Sequence, residues 1–174
     1  MKIISCVVFG LIFSSVVMGQ EKSIKNIVSL NLQSKQQINK SQALNSRILR
    51  SKNSSIKNNI GVGELYEVNG TFLQVNAETG VLRPNHLEEL SKGMYEMAHL
   101  SPPKVYNSEI KEINGYKILI INIENDSSEI GRYNFYCITK SNDKILNGVM
   151  EYELAEKGKA GKTLDIILKG LKFK

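Results

Sequence analysis

Ile113-Asn114-Gly115-Tyr116-Lys117-Ile118-Leu119-Ile120-Ile121-Asn122-Ile123 is the stretch that decides the fold class. The two central residues of a tight hairpin turn need positive φ, which Asn and Gly tolerate, so Asn114-Gly115 predicts a reversal between antiparallel strands. The aliphatic, β-branched run after it predicts one strand, and residues 104–113 predict its partner.

The same signal recurs upstream, where Leu65-Tyr66-Glu67-Val68 and Thr71-Phe72-Leu73-Gln74-Val75 flank Asn69-Gly70. Downstream, the polar stretch 125–131 leads into a strand over 132–140, and Ser141-Asn142-Asp143 turns the chain back. Leu146, Gly148, Met150, Tyr152 and Leu154 then alternate with Asn147, Val149, Glu151 and Glu153. That period of two predicts a strand covering the core on one face, with Glu151 and Glu153 turned to solvent.

Two segments carry the helical period instead. Leu87, Leu90, Met94, Met97 and Ala98 form one stripe, and Asn85 with Glu88 three residues on reads as a capping box. From Lys159 onward, Ala160, Leu164, Ile167, Leu168 and Leu171 share a face, which predicts a closing amphipathic helix. The order strand, strand, helix, four strands, helix excludes a parallel doubly wound sheet, because no helix separates the last four strands. The expected class is α+β, an antiparallel sheet covered by helices in an α/β/α sandwich.

The run from Ile113-Asn114-Gly115-Tyr116 through Leu146-Asn147-Gly148-Val149-Met150-Glu151-Tyr152 to Ile166-Ile167-Leu168-Lys169-Gly170-Leu171-Lys172-Phe173 resembles the PsbP-like superfamily over roughly residues 62–173. The resemblance implies an α/β/α sandwich used mainly for protein binding and assembly. The short first hairpin and a long basic segment before it depart from the family pattern.

At the N-terminus, Lys2 precedes the apolar run Ile3–Phe13, which fades out near Val17-Met18-Gly19 before polar Gln20-Glu21-Lys22. This is the layout of a secretory signal peptide over 1–19, cleaved between Gly19 and Gln20. The run is too short, and too interrupted by Ser5, Ser14 and Ser15, for a retained span of about 20 apolar residues. The expected location is outside the inner membrane, periplasmic or secreted.

Residues 20–174 suffice for one domain. With Cys137 the single cysteine of that stretch, an internal disulfide is excluded, and its apolar neighbours make it a small buried hydrophobe. The net charge of +6 is unevenly spread: residues 20–60 hold eight basic residues against Glu21 alone, whereas 61–174 hold 14 basic and 16 acidic. The basic balance therefore belongs to 20–60 and gives no reason to expect nucleic acid. That segment is rich in Asn, Gln, Ser and Lys, without sustained apolar period; it has room for short helices around Ala43-Leu44 and Ile48-Leu49 but is expected to be a mostly flexible arm. It offers an anionic surface only a weak contact, and removing it should leave the domain at 61–174 intact.

Catalytic chemistry finds little support. Gly158-Lys159-Ala160-Gly161-Lys162-Thr163 is one glycine short of a phosphate-binding loop, since Glu156 stands where it would be needed. His86-Leu87-Glu88 opens a zinc-deaminase signature whose Cys-x-x-Cys is absent, and His86 and His99 stand too far apart on one helix to share a metal. No catalytic residue, cofactor or metal is assigned. The sequence favours an exported binding or assembly module whose partner is another protein, with Tyr106, Tyr133 and Tyr136 as a binding face. The competing reading is a hydrolase whose carboxylates converge only in the fold. Nothing in the sequence fixes the oligomeric state.

Overall fold

The computed structural model describes residues 24–32, 35–38, 42, 46–52, 54–59, 62–125 and 128–174. Gly19, Gln20 and the expected cleavage site lie outside the described residues. In chain order, a 3-10 turn Ile24–Asn26 leads to strands β1 (Val28–Ser29) and β2 (Lys35–Gln37), then to short helices α1 (Arg47–Arg50) and α2 (Ser55–Asn58). Strands β3 (Glu64–Val68) and β4 (Thr71–Thr79) precede helix α3 (His86–Leu100). Four strands follow: β5 (Val105–Ile113), β6 (Tyr116–Glu124), β7 (Ile130–Ile138) and β8 (Lys144–Glu153). A 3-10 turn Leu154–Glu156, helix α4 (Lys157–Lys169) and strand β9 (Lys172–Phe173) complete the order.

Both Asn-Gly turns form as the sequence predicts. Asn69 and Gly70 have φ of 53° and 80°, Asn114 and Gly115 of 54° and 78°. Each closes its hairpin over two residues, pairing Val68 with Thr71 and Ile113 with Tyr116. The sheet is seven-stranded, in the order β2-β3-β4-β8-β7-β6-β5, with every pairing antiparallel. Because β4 pairs with β8, helix α3 carries the chain across the sheet to its far edge, and β5 to β8 then return strand by strand.

Alternation divides the sheet into two apolar faces. Ile118, Ile120, Phe135, Cys137, Leu146, Met150 and Leu73 lie on one, packed with Ala160, Leu164, Ile167, Leu168 and Leu171 from the closing helix and the residues just after it. Leu119, Ile121, Ile123, Ile138 and Ile145 lie on the other, under Leu87 of α3. With α3 and α4 on opposite faces, the protein is an α+β domain in three layers, as expected. On the α4 face the inner sheet is tightly fitted: a Cβ at Gly148 would stand 2.0 Å from the Phe135 ring.

The expectation of a mostly flexible arm over 20–60 does not hold for the described residues of that segment. Ile24, Ile27, Val28 and Leu32 join the α4-side core, while Ile48, Leu49 and Ile56 pack with Leu65 and Phe72 on the other face. β1 pairs with β9, matching Val28 to Phe173, and β2 adds a seventh strand beside β3. The physical reason is that two-residue strands and single-turn helices have no room for a period, so their apolar residues looked isolated. The domain thus reaches back to Ile24, well before residue 61.

Strand β8 is also covered on both faces, against the one-sided expectation. Glu151 is fully buried. Its Oε2 accepts from Ser54 Oγ at 2.6 Å, and its Oε1 from Ser55 N (2.5 Å), Ser55 Oγ (2.8 Å) and Ile56 N (3.2 Å). Four donors replace the water that a carboxylate loses on burial. The capping box before α3 does not form either: Asn85 makes no side-chain cap, its Nδ2 donating to Glu89 Oε1 at 2.8 Å, and Glu88 faces Lys117 at 3.9 Å.

Candidate interaction surface

Helix α3 sits over the outer strands through Leu87, Leu90 and Met94. Ser91 Oγ and Ser108 Oγ are 2.8 Å apart, and the Tyr95 ring meets Tyr106 edge-on, with centroids 5.8 Å apart at 70°. Only one stripe of α3 is used in this way. Tyr95 is exposed on the flank toward β5, whereas Met97 and Leu100, Leu100 at 87 %, are exposed on the opposite flank, since residues two apart on a helix do not share a side. Met97, which the sequence placed in the buried stripe, is therefore exposed and turned away from β5. His99 stacks obliquely on Tyr95 at 4.0 Å, and its Nδ1 lies 2.9 Å from the Tyr95 carbonyl oxygen.

Strand β5 is the end of the sheet and pairs only with β6 among the described residues. Asn107, Ser108, Glu109 and Ile110 are consecutive exposed residues, and Ile110 is an exposed aliphatic residue in the middle of the strand. An apolar helix flank next to an open strand edge can engage another polypeptide in two ways, by side-chain burial and by main-chain hydrogen bonding.

The three tyrosines singled out from sequence do not share this surface. Tyr106 and Tyr136 are both half-buried against the α3-side core, and burial raises the pKa of each phenol. Among the described residues the buried Tyr106 hydroxyl has no hydrogen-bond partner. Tyr133 lies on the opposite face, stacked on Tyr152 at 5.0 Å and 28°. On a strand, residues three apart point to opposite sides, and that separates Tyr133 from Tyr136.

Tyr133 instead borders a polar cluster beneath the start of α4. Glu124 Oε1 lies 2.5 Å from Lys157 Nζ and accepts from Asn122 Nδ2 at 3.2 Å and from the Tyr152 hydroxyl at 3.4 Å. The same hydroxyl donates to Asn122 Oδ1 at 2.8 Å. Burial pushes the Glu124 carboxyl up, but the Lys157, Asn122 and Tyr152 hydrogen bonds outweigh it and hold its pKa below the ordinary value. Lys157 is raised by its bond to Glu124, and Tyr152 is raised by burial. The cluster is a saturated clamp, joining the end of β6 to the first residue of α4.

The other chemical candidates have structural settings. Cys137 is fully buried, and desolvation pushes its thiol up to about 12. Gly158 to Thr163 lie within α4 itself, not in a loop before it. Among the described residues no group of His, Cys, Asp or Glu could hold a metal ion, and no helix is long and apolar enough to cross a membrane. No family model and no curated protein matches the chain.

Proposed function

We propose that this protein is an exported binding or assembly module without catalytic activity, and that it engages another protein through the outer flank of α3 and the open edge of β5. The observation that carries this reading is the coincidence of the two features. Tyr95 is exposed on the helix flank that meets β5 through Tyr106, and β5 is a nine-residue strand, with Ile110 exposed, whose second neighbour is missing among the described residues. The PsbP-like resemblance, with its emphasis on binding, supports the same reading, as does the signal-like N-terminus for export. Lys25, Lys52 and Lys57 are exposed and offer a secondary, weak contact to anionic surfaces.

The hydrolase alternative calls for carboxylates held protonated near neutral pH. Glu124 and Asp143 shift the other way, Glu124 through the clamp described above and Asp143 chiefly through the Ser141 and Thr139 hydroxyls. Photo-crosslinking tests the proposal: a benzoylphenylalanine in place of exposed Tyr95 should trap a protein partner in the native envelope or medium, and one at exposed Lys162 on α4 should not. Equal trapping at both positions, or none at 95, would remove the assignment of this surface.

A further inference from the structure

The surface assigned above has a backbone geometry and a charge order that specify its occupant. The two-residue turn at Asn114-Gly115 closes on the Ile113–Tyr116 pair, and in such hairpins the closing pair exchanges both backbone hydrogen bonds. Counting back in twos, residues 113, 111, 109, 107 and 105 direct their N–H and C=O groups to β6. Those of Tyr106, Ser108, Ile110 and Glu112 point outward from the sheet.

The side chains follow the same alternation. Glu109 and Lys111 share one face and already bond along the strand at 2.9 Å, while Ile110 stands on the other face, 39 % exposed. Resting on the binding reading, we infer that the occupant of the β5 edge is the β5 edge of a second copy, paired antiparallel about a two-fold axis through Ile110. Ile110 then opposes Ile110 of the other copy, and its outward N–H and C=O exchange two hydrogen bonds with their counterparts. Ser108 opposes Glu112 in the same way.

Glu109 falls opposite Lys111 of the second copy, twice by symmetry, at the closely spaced pairs that bring side chains nearest. Neighbouring registers fail on charge. Moving the axis to Glu109 sets Glu109 against Glu109, and moving it to Lys111 sets Lys111 against Lys111. Charged residues on an edge strand usually guard it against pairing. Here their order disfavours the two adjacent registers and gives the one centred on Ile110 two Glu109–Lys111 pairs, in an isologous contact that closes after two copies.

Sedimentation equilibrium of the protein over about 1–100 µM should show a monomer–dimer equilibrium. Glu109→Lys should weaken the dimer about tenfold, and the exchange Glu109→Lys with Lys111→Glu should restore it. Ile110→Pro deletes an outward N–H that makes no bond to β6, so it should give a monomer that melts like the wild type diluted below its dimerisation range. Ile110→Cys should form a covalent dimer on mild oxidation, because hydrogen-bonded pairs sit about 5.5 Å apart between Cα atoms, within disulfide reach. Ser108→Cys should not.

A wild-type monomer throughout that range, or cross-linking at 108 as fast as at 110, overturns the inference. If the wild type is monomeric and Ile110→Pro abolishes trapping by the position-95 probe, the edge receives a foreign strand and the binding reading survives. If it is monomeric and trapping is unaffected or absent, the edge has no part in binding and the reading falls as well.

Discussion

Ser54 donates a hydrogen bond to Glu151 at 2.6 Å, joining residues 97 positions apart in the chain. Both are buried, and the bond fastens the start of α2 to the middle of the sheet. Glu151→Ala should destabilise the protein by about 2–4 kcal/mol, since it strands the Ser54 and Ser55 hydroxyls and two backbone N–H groups in a site closed to water. Urea denaturation of the two proteins measures the difference; a change under about 0.5 kcal/mol would place this carboxylate among ordinary surface residues.

Deleting residues 1–60 should abolish cooperative folding. Seven buried aliphatic side chains, Ile24, Ile27, Val28, Leu32, Ile48, Leu49 and Ile56, leave the core with that segment. At about 1.5–3 kcal/mol each, their burial rivals the entire stability of about 5–15 kcal/mol usual for a domain. Near-ultraviolet circular dichroism should lose its signal, and a melt matching that of the full chain would return the segment to the status of a linker.

Gly148→Ala should cost about 1–3 kcal/mol, because the new methyl would lie 2.0 Å from the Phe135 ring in a fully buried layer. Phe135→Leu in the same chain should recover part of the loss, which a double-mutant cycle of melting temperatures reads directly.

The Glu124 clamp makes stability depend on pH in a definite direction. A carboxyl whose folded-state pKa is lowered stays ionised in the folded protein where the unfolded chain begins to take up protons. Its contribution is therefore complete above its ordinary value of 4.5 and is lost as pH falls through the lower folded value. The melting temperature of the wild type should exceed that of Glu124→Gln at pH 7, and the gap should close on titration below about pH 4. A gap that widens on acidification would show the carboxyl to be raised.

The hairpins were legible because Asn114-Gly115 and Asn69-Gly70 act locally: two residues with positive φ fix the register of everything beside them. The closing helix was legible through repetition, with Ala160, Leu164, Ile167, Leu168 and Leu171 all buried. Ile24, Val28 and Ile56 were not, because each is held by contacts far away in sequence and none belongs to a run long enough to show a period; the short helix at Ile48-Leu49 was legible, its burial was not. Glu151 was misread because alternation reports which face a residue occupies, and donors 95 to 97 residues away decide what covers that face. The separation of Tyr133 from Tyr136 could have been seen, since their spacing is odd on a strand. The open edge at β5 needed the strand order, which places β4 beside β8 and thereby leaves β5 outermost.

The pairing of Val28 with Phe173, reinforced by the 2.9 Å bond from Lys174 N to the Ile27 carbonyl oxygen, sets a timetable for the chain. The segment that leaves the ribosome among the first must wait for residues 172–174 before it has a strand to pair with. Until then Ile24, Ile27 and Val28 have no finished core to enter, and contacts of such long sequence separation form slowly. A chain built in this order completes its α4-side core only when its last residues arrive.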